Sequence, residues 1–439
     1  MTTPTQPSTP EQPVTPSTPS PHELHGATAT APAPGAPADT GLREAPGEIK
    51  VAGPLQRAWE RFRLVPLLLL VAAVIAAAIA GGVTKAELEA RASLPPATAG
   101  AAAPGTACAP AAEPIPAEQP WQGELAAASE AAFQQGVAES TPAGHPEIVE
   151  GKNGWVFWGD YQWQNLSQGL GRRVLSTGEM DLWYQHYKEI EEKLAAQGIP
   201  FTILIAPAKW DVYREQLPAW AADISGSTSF DYLRAAHPDL PIIDVRQAVV
   251  DAKATAPTYE PQNSHWTPYG GYAAWTQAAS CLASAGGELA GIHAPAITGV
   301  ETIQGSNEFS PYGVADGPAA LTTPVWAETP GAMTIKDATG QTRTVTTAYG
   351  TDMLELPATT TTANAQSQAT ALVLRDSYGN ALAPGWQSAF ATTIQIPHGI
   401  GSSTPADILG ATAAAKPDVV ILEMTERYLH FVPGQPATH

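Results

Sequence analysis

Two short polar segments hold side chains that could carry out nucleophilic chemistry. Ser377 lies in R-D-S-Y-G-N, two residues after the apolar run ALVLR, and His265 lies in N-S-H-W-T-P. A serine hydroxyl attacks a carbonyl carbon at neutral pH when an adjacent base takes its proton. Taken separately, each residue has a structural alternative, because serine often caps helices and loop histidines often only pack. Together they predict a nucleophile and its base, provided that the two segments meet.

Five short apolar runs predict the strands that would position these segments. Strands that are apolar throughout are covered on both faces, which is typical of parallel sheets with helices on each side. The sequence therefore predicts a doubly wound α/β domain built on five parallel strands. The runs are FTILIAP (201–207), IIDV (242–245), ALVLR (371–375), TTIQI (392–396) and DVVILEM (418–424).

Helix-capping signals separate these runs. Ser176 and Glu179 form the S-x-x-E pattern of a capping box, and Thr267 followed by Pro268 is typical of a helix N-terminus. A further helix is predicted over residues 404–415, with a proline near its start. His265 is thus expected on a loop that leads into a helix.

Several residues besides Ser377 and His265 follow strand ends, where open parallel sheets bind their ligands. Those next to Ser377 could contribute to an oxyanion site, and Lys209 could reach the cleft or be a solvated surface lysine. Glu426 and Arg427 could contact the substrate or only pair with each other. The substrate or oxyanion candidates are Arg375, Asp376, Gly379, Lys209, Glu426 and Arg427.

The motifs resemble a known family. N-S-H-W-T-P-Y-G (263–270) and L-V-L-R-D-S-Y-G (372–379) are similar to the D-x-H-W-T and G-D-S-F segments of the SGNH-like domains of alginate O-acetyltransferase proteins of the J and X type. Three other blocks are similar and follow the family's order. They are G-K-N-G-W-V-F-W (151–158), A-P-A-K-W-D-V-Y-R-E-Q-L-P (206–218) and P-D-V-V-I-L-E-M-T-E-R-Y-L (417–429).

The resemblance implies a circularly permuted SGNH-like (flavodoxin-like) fold and acetyl transfer onto an extracytoplasmic polysaccharide. It implies Ser377 as the nucleophile that is acetylated and His265 as its base. A multi-pass, MBOAT-type membrane protein that donates the acyl group is the implied partner. No cofactor is implied, and no cluster of His, Cys or carboxylate residues has metal-ligand spacing.

Two positions depart from the family's pattern. Asn263 stands where the family has Asp, so it can orient the imidazole but cannot stabilise the imidazolium by charge. Another carboxylate, with Glu426 and Asp376 as the two named candidates, would have to supply that charge, or the enzyme is slow or inactive. Arg375 replaces a Gly, which places a large cation next to the oxyanion region.

Composition narrows the possible partners. The formal net charge is -20, from 22 Lys and Arg against 42 Asp and Glu, and this field repels nucleic acid. Cys108 and Cys281 lack metal-knuckle or CxxC spacing. A single disulfide between them, if the domain lies outside the cytoplasm, and two unrelated thiols both remain open on the sequence.

The chain divides into a tail, an anchor, a spacer and a domain. Residues 1–63 are a Pro- and Thr-rich tail that is expected to be disordered and cytoplasmic, and 64–83 form an uncharged run long enough to cross a membrane once. Three arginines just before that run predict that the tail stays inside. Residues 84–120 are an Ala- and Pro-rich linker, and 121–435 the extracytoplasmic SGNH-like domain, in which 291–368 form a β-rich insertion.

The sequence thus predicts a membrane-anchored O-acetyltransferase that modifies a cell-envelope or secreted polysaccharide. Two alternatives remain. A carbohydrate acetylesterase would use the same serine and histidine with water as acceptor, and a glycan-binding scaffold would have a degenerate triad, as Asn263 suggests.

Overall fold

The computed structural model describes residues 108–110, 114–328, 331–345 and 355–435, together with the isolated positions 53, 54, 62, 65 and 71. The chain divides into two compact units, Met1–Ile75 and Ala76–His439. The predicted tail and membrane span (1–83), except for those isolated positions, lie outside the described residues, as does most of the predicted linker (84–120). Among the residues that are described, no helix is long and apolar enough to cross a membrane.

The second unit alternates strands and helices along most of its length. Within the described ranges the α-helices are α1 Ala126–Ser140, α2 Asn165–Gly169, α3 Thr177–Ala195, α4 Lys209–Val212, α5 Ser229–Ala236, α6 Arg246–Ala252, α7 Pro268–Ser284, α8 Gly379–Ala389 and α9 Ile408–Ala415. The strands there are β1 Ile148–Glu150, β2 Val156–Trp158, β3 Phe201–Ala206, β4 Ile242–Asp244, β5 Ile297–Ile303, β6 Leu321–Trp326, β7 Met333–Lys336, β8 Thr342–Val345, β9 Ala358–Thr362, β10 Ser367–Arg375, β11 Phe390–Pro397 and β12 Val419–Thr425.

The main sheet contains the five predicted strands side by side. Its order is β4-β3-β12-β10-β11-β9-β7-β8. The pairings from β4 to β11 are all parallel. β10 lies near the centre, flanked by β12 and β11, so the residues that follow it emerge in the middle of the carboxyl edge of the sheet.

Both faces of the parallel part are buried, which explains why its strands are apolar throughout. Successive residues of β12 point to opposite sides, and each side packs into a separate apolar core. Val419 and Ile421 belong to one core, while Val420 and Leu422 belong to the other.

The predicted insertion (291–368) is β-rich, but it does not form only a separate layer. β7, β8 and β9 extend the main sheet antiparallel beyond β11. β5 and β6 form a two-stranded sheet of their own. The main sheet is therefore mixed and, over the described ranges, has eight strands rather than the five parallel ones predicted.

The helix starts largely follow the capping signals. The Ser176 side chain accepts the Glu179 amide while the Glu179 carboxylate accepts the Ser176 amide, and Thr267 caps the helix that begins at Pro268. The helix predicted over 404–415 begins later, at Ile408, because the Asp407 side chain accepts the Gly410 amide and caps the helix there.

The helices that follow the two chemical segments pack directly on each other. α7 follows His265 and α8 follows Ser377, and a Cβ on Gly271 of α7 would lie 2.5 Å from the Cβ of Ala381 of α8. Such a close approach is possible only without a side chain at position 271. It brings the two helix starts, and thus the two segments, to the same place.

The two cysteines form a disulfide, Cys108–Cys281, and are 173 positions apart in sequence. The bond joins the end of the predicted linker to α7, the helix that follows His265. Cross-linking positions so far apart restricts the unfolded chain, which stabilises the folded domain.

Candidate active site

The structure brings Ser377 and His265 into contact. The Ser377 Oγ lies 2.8 Å from the His265 Nε2, although 112 residues separate them in sequence. Ser377 is exposed on the turn between β10 and α8. This is the distance that a base needs to take a hydroxyl proton.

The other ring nitrogen of His265 faces Asn263, as the motif predicts. The His265 Nδ1 lies 3.0 Å from the Asn263 Oδ1, which also accepts the His265 backbone amide at 2.9 Å. The Asn263 amide group donates to the Ser306 Oγ at 3.0 Å. With its nitrogen bonded to Ser306, the Asn263 oxygen must face the histidine, and this favours the tautomer with the proton on Nδ1.

Tyr378, the residue after Ser377, holds the histidine loop from both sides. Its hydroxyl donates to the Ser264 carbonyl, and its own carbonyl accepts the Trp266 Nε1 at 2.9 Å. The Tyr378 ring lies 4.9 Å from the His265 ring. Because Tyr378 contacts both neighbours of His265, it couples the positions of the serine turn and the histidine loop.

Asp376 anchors the serine turn to the next strand. Its carboxylate accepts the Tyr378 amide at 2.7 Å and the Thr425 amide and hydroxyl at 2.9 and 2.7 Å. Burial alone would raise the pKa of Asp376, but its contact with His398, the Thr425 hydroxyl and the charge of Arg427 lower it to about 2. The carboxylate is therefore ionised and fully used in holding the turn.

Two buried side chains, Glu423 and Arg375, lie beneath the same turn. The Glu423 carboxylate accepts the Asp376 amide at 3.2 Å and also the Gly379 amide. Arg375 donates to the Asp376 carbonyl and to Gln395, both at 2.8 Å. Arg375 thus points into the protein, 3% exposed, and does not enter the oxyanion region as the sequence alone suggested.

These contacts determine which backbone donors are left for an oxyanion. The Tyr378 amide binds Asp376 and the Gly379 amide binds Glu423, so Gly379 is not a free donor as its position suggested. The Ser377 amide makes no hydrogen bond within the described part of the chain. It is therefore the turn amide that remains available to a substrate oxygen.

Lys209 lies beneath the site and is neither solvated nor at the cleft surface. It is 4% exposed, and its ammonium donates to the Val156 and Pro261 carbonyls at 2.8 and 2.7 Å. Burial lowers the pKa of Lys209 well below its ordinary value, against the attraction of Glu308 and Glu260. By holding Pro261, Lys209 positions the start of the histidine loop.

Glu426 lies away from His265 and does not supply the missing charge. Its carboxylate accepts the Ala208 amide at 3.2 Å and the Thr228 hydroxyl at 3.1 Å, and burial raises its pKa well above the ordinary value. It does not pair with Arg427 either. The guanidinium of Arg427 is buried 5.6 Å from the Tyr378 ring, and its positive charge acts on His265.

The carboxylate that approaches His265 is Glu308, which sequence reasoning did not single out. Its Oε2 lies 3.9 Å from the His265 Nδ1 and accepts the Ser264 amide at 2.6 Å. Glu308 comes from the β-rich insertion, in an irregular Gly-, Ser- and Asn-rich stretch without periodicity. No local signal in that stretch marks it.

The charges around His265 act in opposite directions. Burial lowers the pKa of His265 below its ordinary value, Glu308 raises it, Arg427 lowers it and Asp376 raises it. The lowered pKa keeps the imidazole neutral at physiological pH, which is the state that a general base requires.

A polar cavity of about 160 Å³ lies beside the histidine loop. Its lining includes Asn153, Glu260, Gln262, Ser306 and Asn307. A larger cavity of about 420 Å³ is lined instead by charged side chains around Asp231 and Arg246, away from the histidine loop. Neither Ser377 nor His265 lines either of these two cavities. Among the residues described, no three His, Cys, Asp or Glu side chains cluster as metal ligands would.

Comparison with known proteins gives a family match over part of the chain. Residues 148–308 match the model of the "SGNH hydrolase-like domain, acetyltransferase AlgX". The resemblance to the alginate O-acetyltransferase family is thereby confirmed over these residues, which include Asn263, His265 and Glu308 but not Ser377. The match identifies the domain as an SGNH-like α/β fold.

Solved structures with a similar chain trace were also found. Bacillus cereus PatB1 with a sulfonyl adduct is 16% identical, with 65% of this chain and 97% of that chain covered and a TM-score of 0.45. The O-acetyltransferase domain of Pseudomonas putida AlgJ is 18% identical, with 65% and 92% covered and a TM-score of 0.37. Pseudomonas aeruginosa AlgX is 15% identical, with 63% and 61% covered and a TM-score of 0.37. No curated protein matches this chain.

Proposed function

We propose that this protein transfers acetyl groups to hydroxyls of an extracytoplasmic polysaccharide through an acetyl-Ser377 intermediate. The observation that carries the proposal is the 2.8 Å contact between the Ser377 Oγ and the His265 Nε2 at the carboxyl edge of the parallel sheet. It is supported by the match of residues 148–308 to an acetyltransferase domain.

The reaction follows from the geometry in two balanced halves. In the first, the Ser377 Oγ bonds to the acetyl carbon, its proton passes to the His265 Nε2, and that proton then leaves with the donor's leaving group as the old acyl bond breaks. In the second, a sugar hydroxyl gives its proton to Nε2 and bonds to the acetyl carbon. The Ser377 Oγ–carbon bond then breaks and the serine regains the proton.

The oxyanion that forms in each half requires donors aimed at the site. The unbonded Ser377 amide is one, and the positive end of α8 lies just beyond it. The polar cavity lined by Gln262 and Ser306 offers amide, hydroxyl and carboxylate groups that could hold the sugar ring. We assign the acceptor to that side of the histidine loop.

The cellular setting is part of the same proposal. An uncharged run at 64–83 preceded by three arginines would anchor the chain once in the membrane, with the domain outside. The disulfide suits an oxidising compartment. A multi-pass membrane protein that carries the acetyl group across the bilayer is the partner that this arrangement requires.

One observation favours a second candidate, a carbohydrate acetylesterase. Ser377 is exposed, so water can reach an acetyl-serine as readily as a sugar can. The chemistry of the first half-reaction is identical, and the acceptor alone distinguishes the two activities.

The test uses the purified full-length chain, a chromogenic acetyl ester and added oligosaccharides. We expect ester turnover, an acetylated Ser377 peptide in mass spectrometry, and a loss of about 10⁴-fold or more in Ser377→Ala. Equal turnover in Ser377→Ala would refute the serine mechanism, and an absence of turnover in the wild type would leave the glycan-binding scaffold. Acetyl recovered on the oligosaccharide indicates a transferase, and acetate alone an esterase.

A further inference from the structure

The Ser–His pair lacks a charged third member at the usual place. A carboxylate next to the distal ring nitrogen has two tasks, to orient the ring and to stabilise the imidazolium that forms during catalysis. Asn263 performs the first, since its oxygen lies 3.0 Å from the His265 Nδ1. A neutral amide cannot perform the second.

Glu308 lies on that same side of the ring. Its Oε2 is 3.9 Å from the His265 Nδ1, too far for a hydrogen bond but close enough for a strong attraction to a positive ring. The side chain is 26% exposed, so water screens the charge only in part.

The position of Glu308 is fixed by the backbone of the histidine loop itself. The Ser264 amide donates to the Glu308 Oε2 at 2.6 Å, and the Glu308 amide donates to the Gln262 carbonyl at 3.0 Å. Glu308 is thus attached to the residues on either side of Asn263, through its carboxylate to Ser264 and through its backbone amide to Gln262. A shift of the loop would carry Glu308 and His265 together.

The other charged or titratable groups around this pair come from three elements. Arg427 follows β12, Asp376 and Tyr378 belong to the serine turn, and Lys209 follows β3; Arg427, Tyr378 and Lys209 all interact with Glu308. Asp376 is already committed to Tyr378 and Thr425. Arg427 repels a positive ring, which increases the need for a nearby anion.

We propose that Glu308 supplies the negative charge that Asn263 lacks, so that the two tasks of one carboxylate are divided between two residues. Glu308 is a positioning residue in this scheme, because it acts through His265 and touches no reacting atom. The inference rests on the proposed serine chemistry. When the Ser377 proton reaches Nε2, the ring keeps its Nδ1–H on Asn263 and its positive charge is balanced by Glu308.

Glu308→Gln separates charge from structure, because the glutamine oxygen can still accept the Ser264 amide. The first readout is the pKa of His265, measured by NMR titration of the full-length chain with labelled histidine. The His265 signal is assigned by its absence in the His265→Gln variant. We expect the pKa to fall by about one unit, equivalent to about a tenfold change in proton affinity. Asp316→Asn, which removes a carboxylate from the same connection between β5 and β6, is the control and should leave the His265 pKa unchanged.

The second readout is the pH profile of kcat/KM. We expect Glu308→Gln to lower the plateau on the order of tenfold and to move the acid limb to lower pH. Asn263→Asp, placed in the Glu308→Gln background, should restore both. A merely structural role would lower the plateau without moving the limb or the NMR pKa.

The possible failures are distinguishable. An unchanged His265 pKa in Glu308→Gln overturns the division of tasks, even if Ser377→Ala abolishes turnover. An active Ser377→Ala refutes the proposed function instead, while the NMR titration still reports whether Glu308 governs the charge of His265.

Discussion

The two halves of the candidate site are built in different ways. Ser377 follows a central strand, and its turn is fixed by the buried carboxylates of Asp376, directly after β10, and Glu423 on β12. His265 lies on a loop that Tyr378 and Lys209 also hold, but the partners next to the distal ring nitrogen, through Asn263 and Ser264, are Ser306 and Glu308 of the insertion. The serine half is therefore part of the core, whereas the histidine half is assembled where two irregular segments meet.

This difference predicts how closely stability and activity are connected in each half. A change beneath the serine turn disturbs the sheet and the turn together, so both should suffer. A change between the histidine loop and the insertion leaves the cores intact, so activity should fall while the free energy of unfolding hardly changes. Three variants test this contrast, besides those on Ser377 and Glu308.

The largest effect is expected for Gly379→Ala in the serine half. A Cβ there would lie 2.4 Å from the Arg375 Cδ and 3.0 Å from both the Glu423 Oε2 and the Trp386 ring. All of these neighbours are buried, so we expect a loss of about 3 kcal/mol in the free energy of unfolding. Turnover should fall at least 100-fold, or about 2.7 kcal/mol of barrier, as the turn moves.

Gly299→Ala in β5 is the matched control, because nothing lies within 4 Å of a Cβ at that position. Chemical denaturation and ester turnover are measured on both variants. If Gly379→Ala unfolded at the same denaturant concentration as the wild type, the serine half would not be part of the core as inferred above.

The next effect concerns the acid stability that Asp376 provides. Its folded pKa of about 2 lies below the ordinary value of 3.8, so its contribution is complete above pH 4 and is lost as the pH falls towards 2. A shift of this size corresponds to about 2 kcal/mol. Asp376→Asn should be less stable by that amount at pH 7, and the difference should shrink between pH 4 and pH 2.

Unfolding curves of the two proteins across that pH range measure the effect. A constant difference at all pH values would mean that Asp376 holds the turn by shape alone. The interpretation of the serine half as a charge-anchored turn would then be wrong.

The sequence predicts the position of the serine half better than that of the histidine half. Five apolar runs predict the parallel strands, and the residues after 371–375 then must lie at the carboxyl edge of the sheet. Ser377 is found there by position alone. The pattern of apolar residues in a strand predicts the location of the one or two residues that follow the strand, but not of residues farther along the chain.

What lies below or beside that edge does not follow from the sequence. Arg375 was expected to crowd the oxyanion region, yet it turns inward and donates to Gln395 on the neighbouring strand β11 and to the Asp376 carbonyl. Glu426 was a candidate for the missing charge, yet it binds Ala208 and Thr228. The partners of these side chains depend on which strands are neighbours in the sheet, and the sequence alone does not predict that order.

Glu308 shows the same limit in the histidine half. It lies 43 residues from His265 along the chain, between a strand and a short helical turn, with no motif around it. Its approach to His265 depends on one backbone contact with Gln262 and one with Ser264. Local secondary-structure propensity does not predict that two irregular loops pack together.

The smallest effect is expected for Ser306→Ala in the histidine half. The change removes the 3.0 Å bond that directs the Asn263 amide group and leaves only the longer contact to the Ser306 carbonyl at 3.4 Å. A neutral hydrogen bond contributes about 1 kcal/mol, so we expect turnover to fall about threefold to tenfold. The free energy of unfolding should change by less than about 0.5 kcal/mol, because Ser306 is exposed. Ser310→Ala, on the same segment but without a side-chain bond to the histidine loop, is the control and should match the wild type in both measurements. If Ser306→Ala instead lost as much free energy of unfolding as transition-state stabilisation, the histidine half would be coupled to the core as closely as the serine half.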